Sequence, residues 1–143
     1  MIAYADTGFL VSLYGRDDHS TAARALVSSK PVFILTALGE AEFTNALELR
    51  VFRKEWRQRE ARSVHELFLQ HQAAGIFRAQ SLTPEVWEKA QLLSRRYSAK
   101  LGTRTLDLLH VASVLILKPD VFYTFDKRQH RLAKAERLRV LPA

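Results

Sequence analysis

The sequence predicts one layered α/β domain, with a mainly parallel central sheet flanked by helices in three layers. Short apolar runs rich in Val, Ile, Phe and Tyr recur as IAYAD, PVFIL, GIFRA, DVFYTF and LRVL. At least one helical pattern separates each run from the next, as the crossover between parallel strands requires. No Pro/Gly/Ser-rich linker, internal repeat or low-complexity block divides the 143 residues, and 48% of them are hydrophobic, enough for one core. Residues 1–143 are therefore expected to form a single domain.

The elements follow in order. After IAYAD, apolar spacing predicts helices over Gly8–Tyr14 and Ser20–Ser29. PVFIL leads into helices over Ala37–Arg53 and Glu55–Gln72. GIFRA precedes a helix over Pro84–Lys100, where Thr83, Pro84 and Glu85 combine an N-cap residue with proline at the first helical position. A helix over Thr105–Leu117, capped by Thr105 or Thr103, leads to DVFYTF, a helix over Lys127–Glu136 and the final run LRVL. Gly75 and Gly102 fall just after helical patterns, where a left-handed residue is often required.

Composition removes several function classes. There is no cysteine, which excludes disulfides and thiolate metal sites and agrees with a reducing compartment. Asp6 interrupts what would be the apolar part of a signal peptide. The longest apolar run, Val111 to Leu117, falls far short of the ~20 residues a membrane span needs. A soluble, cytoplasmic protein is expected. Lys and Arg number 22 against 15 acidic residues, a formal charge of +7, with much of the excess in Arg50–Arg62 and Lys127–Arg139. That excess suits a polyanionic partner such as nucleic acid, or equally a solubilising surface.

The acids stand where a parallel sheet would gather them. Asp6 ends the first strand pattern, Asp126 ends VFYTF, and Glu40 and Glu42 open the helix after PVFIL. The carboxyl ends of parallel strands share one edge, where ligand sites form. Asp107 sits between leucines in the first turn of a helix that packs on the same sheet. A buried carboxylate is costly unless compensated, and several together repel one another unless a cation sits among them. With oxygen donors only, a hard ion such as Mg²⁺ or Mn²⁺ fits, and beside a basic surface it points to phosphodiester hydrolysis. Taken singly, Asp6 and Asp126 are equally N-caps, and Asp107 can complement its own helix dipole. Helical spacing does not choose between Glu40 and Glu42.

The segments YADTGFLVSLY, EAEFTNALELRVFRKE, RTLDLLHVASVL and TFDKRQHRLAKAERLRVL, with DDHSTAARAL after the first, resemble the PIN-domain nucleases, specifically the VapC-type toxins of bacterial toxin–antitoxin pairs. The resemblance spans nearly the whole chain. It implies an acidic metal site formed by Asp6, Glu42, Asp107 and Asp126, and it is the match to EFTNAL that selects Glu42 over Glu40. It also implies Mg²⁺ or Mn²⁺ as cofactor, single-strand-specific ribonuclease activity, a homodimer and a small cognate antitoxin. Thr7 and Thr124 occupy family positions whose hydroxyls hydrogen-bond the carboxylates, and Asn45, one turn beyond Glu42, is a further candidate for that role.

His110, one turn after Asp107, is expected to be a buried histidine satisfied by hydrogen bonds, because Val111 and Val114 mark a core face. No histidine enters the predicted catalytic set. The block VFRKEWRQREARSVHELF is the expected antitoxin surface by family resemblance, although an amphipathic hairpin packed on its own core accounts for part of it. Arg50, Arg53, Lys54, Arg57, Arg104, Lys127 and Arg128 are candidate phosphate contacts. A catalytically inactive RNA- or protein-binding module on the same fold is the alternative, and all four acidic positions being filled counts against it. A haloacid-dehalogenase-like phosphatase needs a second aspartate where Gly8 stands, and a receiver needs a strand-end lysine that is not evident.

Overall fold

Each of the five apolar runs forms a strand in the computed structural model, which describes residues 1–143: β1 Ile2–Ala5, β2 Val32–Leu35, β3 Phe77–Ala79, β4 Val121–Tyr123 and β5 Val140–Leu141. They pair in the order β3-β2-β1-β4-β5, and every pairing is parallel. The helices between them are α1 Thr7–Tyr14, α2 Ser20–Leu26, α3 Ala37–Phe52, α4 Gln58–Ala73, α5 Pro84–Leu93, α6 Ala99–Leu101, α7 Thr105–Leu117 and α8 Lys127–Ala135. The fold is the three-layer α/β arrangement that the strand–helix alternation predicts.

Successive side chains of a strand point to opposite faces, and the two cores divide accordingly. Ala3, Ala5, Phe33, Leu35 and Tyr123 face one side, where they pack with Phe9 of α1, Phe43 and Leu47 of α3 and Phe68 of α4. Tyr4, Ile34 and Phe122 face the other, against Val86 and Leu93 of α5, Leu109 and Val111 of α7 and Leu132 of α8. Burying one such aliphatic or aromatic side chain stabilises the fold by roughly 1.5–3 kcal/mol, so the ordinary hydrophobic effect holds the sheet between its helical layers.

Several boundaries depart from the sequence expectation for identifiable reasons. Helix α4 begins at Gln58 instead of Glu55, because Lys54 takes a left-handed φ of 60° and Trp56 turns inward. The Trp56 indole is buried, donates to the Arg16 carbonyl at 3.2 Å, and lies where a Cβ on Gly15 would collide with its ring. The helix expected over Pro84–Lys100 is interrupted by a π turn, Ser94–Ser98, before α6. Arg96 and Tyr97 of that turn both reach Glu136, at 3.5 and 3.0 Å. Helix α7 is not capped by Thr103 or Thr105; its N-cap is Arg104, whose backbone N–H donates to the Asp107 carboxylate at 2.9 Å. Gly75 and Gly102 do take left-handed φ values of 79° and 63°.

The topology also fixes where a ligand can bind. From β1 the chain steps to β2 and β3 on one side, then crosses to β4 and β5 on the other. The order reverses beside β1, and the crevice outside the carboxyl ends of β1 and β4 is the expected site in such a sheet.

Candidate active site

That crevice is a cleft of about 520 Å³, and Asp6, Glu42, Asp107 and Asp126 all line it. Four separate segments deliver them. Asp6 leaves the end of β1, Asp126 follows β4, Glu42 comes from the second turn of α3, and Asp107 from the first turn of α7. Asp6 and Asp107 are 3% and 1% exposed, which makes compensation of their charge the central electrostatic problem of the site.

Part of that compensation comes from helix ends. Asp6 is the N-cap of α1 and accepts from the Phe9 N–H at 2.7 Å. Asp126 is the N-cap of α8 and accepts from the N–H groups of Arg128 and Gln129 at 2.8 and 3.1 Å. Asp107, in the first turn of α7, accepts from the N–H of that helix's N-cap residue, Arg104. The positive ends of three helices thus converge on the cleft, each meeting one carboxylate. The capping reading of each acid and the shared-site reading describe the same geometry.

Side chains supply the rest. The Thr124 hydroxyl donates to the second Asp6 oxygen at 2.5 Å and accepts from the Asp126 N–H at 3.0 Å, joining two of the acids. Thr7 donates to Glu42 Oε1 at 3.0 Å. The Arg104 guanidinium reaches Asp107 at 3.3 Å and Asp126 at 3.5 Å, and Asp107 raises its already high pKa. Burial pushes the Asp6 carboxyl above the ordinary range; His110, Thr124 and the Phe9 N–H pull it back, and the charge of Asp126 adds to the rise.

The structure places the remaining candidates unequally. Asn45 does not line the cleft: it is exposed, on the far side of α3 from Phe43, and shares a shallow depression with Glu40. A three-residue step turns a helix by about 300°, which carries Asn45 away from the core flank that Glu42 occupies. Glu40 faces outward with it.

His110 is 2% exposed, as its apolar neighbours predict, yet it also reaches into the cleft. Its Nε2 meets Glu42 Oε1 at 2.7 Å, and its Nδ1 meets the Tyr4 hydroxyl at 2.8 Å. Both ring nitrogens are thus engaged, and His110 links the buried Tyr4 hydroxyl to Glu42. No local pattern reveals this link, because Tyr4, Glu42 and His110 lie on three elements; the D-x-x-H spacing was its only trace.

Gln129 escaped sequence reasoning altogether. Its amide donates to Asp107 Oδ1 at 3.3 Å while its own Oε1 is buried without a donor. Asp17 also lines the cleft, but it is fully engaged by the His19 N–H, Ser12, Ser20 and Arg50.

The donor set suits a hard divalent cation in chemistry: carboxylates only, two of them buried, beside a buried amide oxygen that lacks a partner. In this arrangement no three acidic or histidine side chains gather closely enough to hold an ion. Arg104 stands across Asp107 and Asp126 instead, as the cleft's internal cation.

Solved structures of similar fold include VapBC2 from Rickettsia felis bound to a DNA fragment from its promoter, with a TM-score of 0.66, 15% identity, and 98% of this chain and 97% of that chain covered. VapC20 from Mycobacterium tuberculosis, described as a Sarcin-Ricin loop cleaving toxin, superposes with a TM-score of 0.69 at 20% identity, over 93% of this chain and 94% of that chain. FitAcB from Neisseria gonorrhoeae gives a TM-score of 0.69 at 18% identity, over 98% and 96%. No curated protein sequence matches. At these identities the structural likeness speaks to the fold, whereas the family match runs from residue 3 to residue 135 and takes in all four cleft acids. The chain belongs to the PIN-domain family.

Proposed function

We propose that the protein is a metal-dependent endoribonuclease that hydrolyses phosphodiester bonds in single-stranded RNA, and the toxin of a toxin–antitoxin pair. The observation that carries this reading is the convergence of Asp6, Glu42, Asp107 and Asp126 on one cleft at the carboxyl edge of the sheet, in a chain of net charge +7. VapC20, similar in fold, is described as a Sarcin-Ricin loop cleaving toxin, which supports RNA as the substrate class.

The four carboxylates would hold Mg²⁺ or Mn²⁺, which when bound supplies positive charge to offset the transition state and to acidify a water. The chain's own groups do the positioning. Thr124 and the Phe9 N–H fix both oxygens of Asp6, and Gln129 with the Arg104 backbone fixes Asp107. Thr7 and His110 hold Glu42 through Oε1, leaving Oε2 without a protein donor and able to orient a water by accepting its proton. Arg104 has a side chain 63% exposed, so it can leave the acids and meet a phosphate.

The likeness to VapBC2 and FitAcB supports a cognate antitoxin as partner. Of the block expected to bind it, Trp56, Val64 and Phe68 are buried in the protein's own core, whereas Phe52 and Leu67 remain exposed. A groove of about 620 Å³, lined by Leu67 together with Leu13, Tyr14 and Val27, fits an apolar helix of such a partner. Exposed Trp87 and Leu92 on α5 support a homodimer. No helix is long and apolar enough to cross a membrane, in keeping with action in the cytoplasm.

The test is cleavage of a mixed RNA pool by antitoxin-free protein with Mg²⁺ or Mn²⁺, with EDTA, and with Asp107→Asn. Discrete metal-dependent cuts that the folded variant loses by ~100-fold or more are expected, on the scale of losing an electrostatic catalytic group. Equal inertness of both proteins with either metal, while RNA still binds, would favour the inactive binding module.

A further inference from the structure

We propose that the α3–α4 corner is a second RNA-binding subsite, continuous with the acidic cleft, that grips a single strand several nucleotides away from the cut. This rests on the ribonuclease reading and names where its substrate runs. A second cavity, about 910 Å³, opens at the corner and is lined by Arg16, Lys54, Trp56, Arg57 and Arg59 among others. One side chain connects the two. Arg50 lines the cleft and binds both Asp17 in the cleft and Glu55 in the second cavity, at 3.2 and 3.0 Å. Arg16, next in sequence to Asp17, lines the second cavity.

The corner's charge is unbalanced in a specific way. Each acid there is already engaged: Glu55 by Arg50, Glu60 by Arg16, Glu48 by Gln58. Arg53, Lys54, Arg57 and Arg59 are exposed and none has a carboxylate partner. The left-handed turn at Lys54 and the buried Trp56 fix the hairpin that presents them, with the Arg50 guanidinium 5.6 Å from the Trp56 ring.

Beside these cations Phe52 is 81% exposed at the end of α3, the most exposed large apolar side chain in the protein. Free cations around a fixed hairpin with an exposed aromatic ring suit a strand whose phosphates meet the cations while one unpaired base stacks on the ring. A duplex offers no free base face for that stacking.

Fluorescence anisotropy in EDTA tests this without requiring catalysis. The probes are single-stranded RNAs of about 4 and about 16 nucleotides, the range of site sizes for single-strand binders. The proteins are wild type, Phe52→Ala, and the combined Arg53→Gln, Arg57→Gln and Arg59→Gln variant, each checked by thermal melting. The longer RNA is expected to lose about tenfold in affinity with either variant. The combined variant's log–log salt slope is expected to fall by roughly 0.7 for each phosphate that it no longer neutralises. The shorter RNA, which fits the cleft alone, is expected to change less than about twofold, within the small effect of one exposed charge.

Unchanged binding of the longer RNA, or equal losses for both lengths, would overturn the subsite. So would variants that keep RNA affinity but lose the cognate antitoxin, assigning the corner to the protein partner. Cleavage in Mn²⁺ separates this from the parent reading. If wild type cuts RNA and the combined variant binds and cuts the longer RNA equally well, only the subsite fails; if length-dependent binding holds but nothing is cut, the nuclease reading fails.

Discussion

At the residue scale, the cleft holds two acids whose environments push in opposite directions. Burial raises the Asp6 carboxyl, so ionising it costs the folded state more than the unfolded one. That cost is absent below the unfolded value near pH 4 and complete above the raised folded value. Asp6→Asn is therefore expected to raise the melting temperature of metal-free protein by several degrees at neutral pH, with the gain shrinking as pH falls. For Asp17, partial burial pushes upward, but the His19 N–H, Ser12, Arg50 and Ser20 outweigh it and hold the carboxyl low. Its stabilising contribution is present above the ordinary carboxylate range and is lost as pH falls through the lowered value. Asp17→Asn is expected to lower the melting temperature at neutral pH by an amount that vanishes in acid; parallel melting curves across pH check both signs. Arg104 supplies a third prediction. Because its guanidinium spans Asp107 and Asp126, Arg104→Ala is expected to tighten Mn²⁺ binding several-fold while slowing cleavage. Metal titration and single-turnover rates report the two effects separately.

At the element scale, the strands were legible because each is a short run of β-branched and aromatic residues between helical patterns, and all five apolar runs are found in one parallel sheet. Helix ends were less legible where tertiary contacts decide them. Trp56 is drawn into the core against Gly15, so the α3–α4 turn extends to Arg57 before α4 begins. Gly15 is consequently a packing position: Gly15→Ala places a methyl against the buried indole and is expected to cost about 1–3 kcal/mol. Chemical denaturation measures this, and Trp56→Phe in the same chain is expected to recover part of the loss. The cap of α7 was misread for a related reason. A threonine cap would accept from an N–H of the first turn, whereas here the Asp107 carboxylate is turned back onto the N–H of the capping residue, Arg104, a contact only the fold shows. The same turn explains an acid among leucines: α7 buries its length against the sheet, and its first turn brings one carboxylate to the cleft.

At the scale of the whole molecule, the placing of the acids follows from topology more than from any single motif. A sheet ordered β3-β2-β1-β4-β5 with parallel strands puts the ends of β1 and β4 side by side, which makes neighbours of Asp6 and Asp126 across most of the chain. Strand-end reasoning could reach that far. It could not reach Gln129 or the Tyr4–His110–Glu42 connection, because both depend on which faces of α7, α8 and α3 meet across the cleft. Asn45 shows the converse: sequence proximity to Glu42 suggested a shared role, and helical rotation separates the two. The central claim is that these four carboxylates act together as one cation site, and Mn²⁺ binding followed by electron paramagnetic resonance tests it most directly. Wild type is expected to bind Mn²⁺, and folded Asp107→Asn to lose about tenfold or more in affinity, the scale on which disturbing a metal's surroundings is felt. Mn²⁺ binding that is absent in wild type, or identical in the two proteins, would contradict the account.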